Sequence, residues 1–143
     1  MRRRDILAAV VVVSVVALVP QRPLGAAETP EDAAKTATDA WLALVDQAKY
    51  AESWDQAAKV FKGGVARDKW KEAAGAVREP LGKVVSRTLK SRRFTESLPG
   101  APDGRYVVIE YTTEFEHKKA AVETVTPMVD PDGAWRVAGY LIR

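Results

Sequence analysis

The spacing of apolar residues changes from helical to alternating at Pro80-Leu81-Gly82, and this change constrains the fold more than any other feature. Before it, apolar residues recur at i, i+3, i+4 and i+7, as in the set Trp54, Ala57, Ala58 and Phe61. After it, apolar and polar residues alternate. Helices first and a meander of strands second favour an α+β fold, with N-terminal helices packed on a curved four-stranded antiparallel sheet.

Three helices are predicted before the change. Thr29-Pro30-Glu31-Asp32 predicts the start of the first, because Thr29 can cap, Pro30 suits the first helical position and acids favour the helix dipole. The second contains Trp54 and ends at Gly63-Gly64. The third contains Trp70 and stops at Pro80. We interpret the tryptophans as core anchors.

Four strands are predicted after it, near residues 84–95, 105–116, 121–129 and 134–142. The segment Pro99 to Gly104 contains two prolines and two glycines and predicts a long turn. Asp130-Pro131-Asp132-Gly133 predicts a hairpin.

The N-terminal residues have the layout of a secretory signal peptide. Arg2, Arg3 and Arg4 precede an apolar run at 6–19, and the small residues Gly25-Ala26-Ala27 follow. An uncleaved anchor is the alternative, but a spanning helix needs about 20 apolar residues. We therefore expect residues 1–27 to be a signal peptide and residues 28–143 to form a single domain. That domain would be exported, periplasmic or secreted, and without membrane attachment after cleavage.

The basic charge of the chain belongs mostly to this segment. Cleavage removes four arginines and one aspartate, so the 22 basic and 19 acidic residues become 18 of each. A neutral domain argues against nucleic acid as a partner.

The sequence lacks the residues that most catalytic and metal-binding sites require. There is no cysteine and a single histidine, His117, which we expect in a solvated turn, so no transition-metal cluster is expected. Neither a nucleophile elbow nor a phosphate loop is present. Asp130 and Asp132 resemble a calcium-loop fragment, but Pro131 and Gly133 favour a plain turn. We predict no catalytic residue, no metal and no cofactor.

The strand pattern places one carboxylate, Glu123, on a face that is otherwise apolar except for Thr113. We fold the second and third strands about a turn at 117–120, and the third and fourth about a turn at 131–133. The predicted pairs are Phe115–Ala121, Thr113–Glu123 and Tyr111–Val125 across the first turn, and Val129–Trp135, Pro127–Val137 and Glu123–Leu141 across the second. The odd-numbered residues, including Gly139 and Leu141, then share the core face.

The basic stretch 83–94 supplies a partner for Glu123. If the first strand folds back about Gly100, Arg87 lies opposite Thr113 and within reach of Glu123, and a buried carboxylate needs such a partner. Arg93 shares the face of Arg87 but lies near the strand end, in reach of water. The other face takes Lys90 and Arg92. We interpret Lys83, Lys90, Arg92 and Arg93 as a solvated face or a blunted edge.

Two interpretations of the Arg87–Glu123 pair remain open. It is either a structural ion pair or part of a pocket between sheet and helices that orients a polar ligand. For the second case the candidate ligand-binding residues are Arg87, Glu123, Thr113, Tyr111 and Trp135.

Most of residues 41–143 resembles the DUF 4019 family, a bacterial domain of unknown function. The resemblance is carried by WLALVDQAKYAESWD at 41–55, RDKW at 67–70, REPLG at 78–82, LPGAPDGRYVV at 98–108 and DGAWRVAGYLIR at 132–143. It implies export from a bacterial cell and a small α+β domain. By analogy we expect a cone-like architecture similar to nuclear transport factor 2 or cystatin-type folds, which does not fix a function.

Two function hypotheses follow. The first is a non-enzymatic module that binds an unknown small molecule or partner protein. The alternative is a small-pocket enzyme of the isomerase or hydrolase type that uses Glu123, which would need a raised pKa. A paired arginine works against the second by keeping the carboxylate ionised. The oligomeric state is not indicated.

Overall fold

Four helices precede four strands in this computed structural model, which describes residues 28–143. The predicted signal peptide, residues 1–27, lies outside the described residues. The helices are α1 (Pro30–Asp46), α2 (Tyr50–Asp55), α3 (Lys59–Gly64) and α4 (Arg67–Leu81). The strands are β1 (Val84–Thr95), β2 (Tyr106–Phe115), β3 (Lys118–Val129) and β4 (Trp135–Ile142).

The strands form one antiparallel sheet in the order β1-β2-β3-β4, and α1 contacts all four of them. The α+β class, with helices followed by a four-stranded antiparallel sheet, is confirmed. None of the described helices is long and apolar enough to cross a membrane.

The first helix starts as its sequence predicts. Thr29 Oγ1 accepts a hydrogen bond from the Asp32 backbone N–H at 3.2 Å, and Pro30 occupies the first turn. One side of α1 is buried against the sheet through Ala34, Thr38, Trp41, Leu42 and Val45, which follow helical spacing.

The predicted second helix is two helices, α2 and α3, separated by residues 56–58. At the break Ala58 is extended, with φ −64° and ψ 156°. Its N–H donates to the Val137 carbonyl of β4 at 2.8 Å, and Asp130 Oδ1 accepts from the Lys59 N–H at 3.3 Å. The predicted set of Trp54, Ala57, Ala58 and Phe61 spans this break, so the prediction of one continuous helix is wrong. These bonds to distant residues interrupt the helix.

The predicted turn between β2 and β3 is wrong. The turn is Glu116-His117 rather than 117–120, and β3 begins at Lys118. The Glu116 N–H donates to the Lys83 carbonyl and the His117 N–H to the Leu81 carbonyl, both at 2.9 Å, so the end of α4 holds the shorter turn. His117 is exposed, as expected.

The shorter turn and a one-residue irregularity between Thr113 and Phe115 together move the register by two residues. The observed pairs are Thr113–Ala121, Tyr111–Glu123 and Ile109–Val125, so the predicted pairs Phe115–Ala121, Thr113–Glu123 and Tyr111–Val125 are wrong. A shift of two residues keeps every side chain on its predicted face.

The register of β4 is confirmed at its start and wrong at its end. Val129–Trp135 and Pro127–Val137 pair as predicted, but an irregularity between Thr126 and Pro127 moves the remaining pairs by one. Glu123 therefore pairs with Ile142 instead of Leu141. A one-residue shift exchanges faces. As a result Tyr140 takes the core face, and Leu141 is 55% exposed.

The predicted register of β1 is also confirmed in part and wrong in part. Arg87 pairs with Thr113, as predicted, but the register shifts between Leu89 and Ser91. Arg92 then pairs with Ile109 and turns towards the helices, where its guanidinium contacts Asp32 of α1 at 2.6 Å. Arg93 pairs with Val108 and lies on the opposite face. The predicted faces of Arg92 and Arg93 are therefore wrong.

The core lies between α1 and the face of the sheet that carries Ile109, Val125 and Tyr140, and the tryptophans anchor it as interpreted. The residues that form it include Trp41, Leu42, Val45, Phe61, Val107, Ile109, Tyr111, Val125 and Val137. A smaller cluster of Ala58, Tyr106 and Met128 lies apart from it.

Candidate functional site

Glu123 of β3 has no exposed surface and accepts hydrogen bonds at both oxygens. Arg87 donates from Nε to Oε1 at 2.7 Å and from Nη2 to Oε2 at 3.2 Å. Thr113 Oγ1 donates to Oε1 at 2.5 Å, and the Tyr140 hydroxyl donates to Oε2. The predicted Arg87–Glu123 contact is present, and the structure adds two hydroxyl donors to it.

Asp46, at the end of α1, joins this pair to α4. Its carboxylate accepts from Arg87 Nη1 at 2.8 Å and from Arg78 Nη2 at 2.8 Å. Arg78 also donates from Nη1 to the Tyr140 hydroxyl at 3.4 Å, which closes a ring. We call this set the buried charge network; its members are Arg78, Asp46, Arg87, Glu123, Tyr140 and Thr113. Two arginines and two carboxylates make it neutral.

Sequence reasoning missed three members of the network: Asp46, Arg78 and Tyr140. Arg78 had a signal, because it follows the buried Ala74 by four residues on one face of α4. For Tyr140 the signal was Gly139, since a glycine inside a strand often accompanies a bulge.

The network shifts the pKa values of Asp46, Arg87 and Tyr140. Burial opposes the charge of Asp46, but hydrogen bonds from Arg87 and Arg78 outweigh it and hold the pKa of Asp46 below its ordinary value. Burial also opposes the charge of Arg87, yet Asp46 and Glu123 hold the pKa of Arg87 above its ordinary value. Burial and the neighbouring charge of Glu123 raise the pKa of Tyr140.

A pH dependence follows from Asp46. Its folded pKa lies below the unfolded value of 3.8, so its contribution to stability is present above that pH and is lost as the pH falls through the folded pKa. We expect the free energy of unfolding to fall more steeply with acidification in the wild type than in Asp46→Asn. Urea unfolding from neutral pH to below pH 3.8 measures both slopes. Equal slopes would show that Asp46 has no depressed pKa.

A second feature is a cleft of about 530 Å³ between α1, α2 and the start of β4. Its lining is mainly apolar on α1 and at Trp135 and Val137 of β4, and its polar groups are Glu52 of α2, Gln56 just after α2, and Arg136 of β4. The lining residues are Ala37, Ala40, Trp41, Leu44, Glu52, Gln56, Ala134, Trp135, Arg136 and Val137.

Hydrogen bonds fix the walls of the cleft. Trp41 of α1 donates from Nε1 to the Ser53 carbonyl of α2 at 2.9 Å, and Trp70 of α4 donates from Nε1 to Ser53 Oγ at 2.9 Å. The Ala58 bond to Val137 then ties the end of α2 to β4. The cleft is therefore held open by the fold.

The five candidate ligand-binding residues do not share one cavity. Arg87, Glu123 and Thr113 belong to the buried charge network. Tyr111 pairs with Glu123 across the strands, but its hydroxyl donates to Asp39 of α1. Trp135 lines the cleft, which contains no member of the network.

The Asp130–Gly133 hairpin is an ion-paired turn. Arg136 donates to Asp130 at 3.0 Å and to both oxygens of Asp132 at 2.7 Å. Within residues 28–143 no group of three or more potential ligand side chains is arranged to hold a metal ion.

A family model described as "Protein of unknown function (DUF4019)" matches residues 37–140, more than half of the chain. No curated protein and no solved structure matches the chain significantly. The similarity to nuclear transport factor 2 or cystatin-type folds therefore stays a prediction.

Proposed function

The chain belongs to the DUF4019 family, whose description assigns no activity, and we propose that it is an exported, non-enzymatic module that binds a small molecule in the cleft between α1, α2 and β4. Export is supported by the charge, apolar run and small residues of segment 1–27.

The cleft is the observation that supports binding. Pockets for small molecules occupy about 300–1,000 Å³, are mostly apolar and contain a few convergent polar groups. This cleft has about 530 Å³, an apolar wall that includes Trp41, Leu44 and Trp135, and a polar edge at Glu52 and Gln56. Its walls are fixed by hydrogen bonds, so little ordering accompanies binding.

The buried charge network supports a non-enzymatic role. Both oxygens of Glu123 already accept hydrogen bonds from internal donors, and the residue has no exposed surface for a substrate. Arg87 keeps it paired with a permanent positive charge. A general base needs an accessible carboxylate oxygen, because it must reach its substrate and exchange a proton with it.

We expect Ala40→Phe to fill the cleft and weaken ligand binding by roughly tenfold or more, or about 1.4 kcal/mol. Ala40 is exposed and lines the cleft, so the new ring takes ligand space without disturbing the core. The matched control is Ala43→Phe, since Ala43 is also exposed on α1 but does not line the cleft.

Native mass spectrometry of protein purified from its own host measures the effect. A small molecule that co-purifies with the wild type and with Ala43→Phe, but not with Ala40→Phe, supports the proposal. If Ala40→Phe also retains the small molecule, the molecule binds outside the cleft. N-terminal sequencing of the exported fraction tests export, with a start at or near Glu28 expected.

A further inference from the structure

We propose that the ligand of the cleft is an organic amine, a protonated nitrogen carried on an apolar or aromatic body. This inference rests on the proposed function, because it assigns a chemical class to the same cleft. The protonated nitrogen of such a ligand would lie at Glu52 and Gln56, and its apolar body would lie against the apolar wall of α1 and β4.

Glu52 provides the charge for such a ligand. It is exposed on α2 and lines the cleft, and no cation or hydrogen-bond donor among the described residues contacts its carboxylate. The lining contains one other charged group, Arg136, and that guanidinium is held by Asp130 and Asp132 at 2.7–3.0 Å. The negative charge of Glu52 is therefore the one that a ligand can neutralise.

Gln56 provides a second acceptor. It follows Glu52 by four residues, which places the two side chains on neighbouring positions of the same face. In the described part of the chain its side-chain amide makes no hydrogen bond, so its carbonyl oxygen can accept from an ammonium N–H. An ammonium group has three donors and no acceptor, which suits this pair.

The apolar wall takes the body of the ligand. Trp135 and Leu44 are partly exposed and contribute apolar area, and Trp41 lies behind them. The guanidinium of Arg105, which does not line the cleft, lies 5.8 Å from the Trp135 ring centroid. Because that ring already has a cation partner, the ligand charge belongs at Glu52 and the ligand body at Trp135.

An anionic ligand fits this lining poorly. Its charge would face the free carboxylate of Glu52, and the one lining cation, Arg136, would have to leave two aspartates to reach it. Repulsion at Glu52 and the loss of those ion pairs both oppose it.

Three probes of similar size separate charge from shape: 2-phenylethylammonium, 2-phenylethanol and phenylacetate. We expect calorimetric titration of the wild-type chain at pH 7 to show the ammonium binding about tenfold more tightly than the alcohol, and phenylacetate most weakly. Tryptophan fluorescence provides a second readout of the same titrations, because Trp41 and Trp135 both line the cleft. Glu52→Gln should reduce the preference for the ammonium over the alcohol to less than about threefold.

The control is Glu72→Gln, since Glu72 is a 75%-exposed glutamate of α4 that does not line the cleft. It should leave the preference unchanged. No binding of the ammonium at millimolar concentration, or equal binding of all three probes, would overturn the amine assignment. The Ala40→Phe test of the cleft is independent of these probes, so failure of the ligand class and failure of the site are distinguishable.

Discussion

Arg87→Met and Glu123→Gln are each expected to lower the free energy of unfolding by about 3–5 kcal/mol, the usual cost of breaking a buried ion pair. Arg87→Met should cost more. It leaves the fully buried Glu123 carboxylate without its ion-pair partner, with only hydroxyl donors remaining. After Glu123→Gln, Arg87 still contacts Asp46 at 2.8 Å and is 16% exposed.

The double variant should lose less than the sum of the single variants. Without Arg87 and Glu123, the Asp46–Arg78 pair remains balanced, and the glutamine oxygen can still accept from a hydroxyl. We expect a coupling energy of about 1–3 kcal/mol from a double-mutant cycle by urea unfolding.

An exposed pair provides the control for this cycle. Lys69 and Glu72 contact each other at 3.6 Å with side chains 74% and 75% exposed, so Lys69→Met and Glu72→Gln should each change stability by less than about 0.5 kcal/mol. Losses of that small size for Arg87→Met and Glu123→Gln would show that their ion pair does not support the fold.

Parity explains why the Arg87–Glu123 contact could be predicted from a partly wrong register. The observed pairs near Glu123 differ from the predicted pairs by two residues, because the shorter β2–β3 turn and the irregularity between Thr113 and Phe115 act together. This even net shift keeps Glu123 on the core face. The pairing of Arg87 with Thr113 was predicted from a symmetric return about Gly100 and is observed, although pairs nearer the turn, such as Thr95–Tyr106, are offset by one residue. Alternation therefore determined which residues near Glu123 share a face, while the turns and the one-residue irregularities determined which of them are opposite.

One-residue irregularities were not predicted, and they changed the membership of the site. The shift between Leu89 and Ser91 turned Arg92 towards Asp32, and the shift between Thr126 and Pro127 brought Tyr140 to Glu123. A bulge reverses all later side chains, and its position depends on contacts across the sheet as well as on local sequence.

The cleft depends on contacts between distant segments. Its α2 wall exists because the helix breaks at Ala58, and the break is held by Val137 and Asp130, more than seventy residues away. Asp46 was not recognised because only the docking of α1 brings the end of that helix to Arg78 and Arg87. Neither the break at Ala58 nor the position of Asp46 can be derived from local helix propensity.

Gly82→Ala is expected to destabilise the chain by more than the roughly 1–3 kcal/mol that an unfavourable backbone conformation costs by itself. Gly82 ends α4 with φ +75° and ψ −162°, a region that is essentially restricted to glycine. A Cβ there would also lie 2.9 Å from Glu116 Cβ and 3.1 Å from His117 Cδ2. Strain and collision would therefore act together, at the place where α4 holds the β2–β3 turn.

Two other glycines separate these effects. Gly100 has φ +76° but open space around a Cβ, so Gly100→Ala should show backbone strain alone, about 1–2 kcal/mol. Gly64 lies in α3 without a positive φ and also has open space, so Gly64→Ala should be neutral or stabilising by up to about 1 kcal/mol. Urea unfolding of the three variants should rank Gly82→Ala below Gly100→Ala and Gly100→Ala below Gly64→Ala in stability. Equal losses at Gly82 and Gly100 would mean that Glu116 and His117 move away without cost, and that the end of α4 does not hold the turn rigidly.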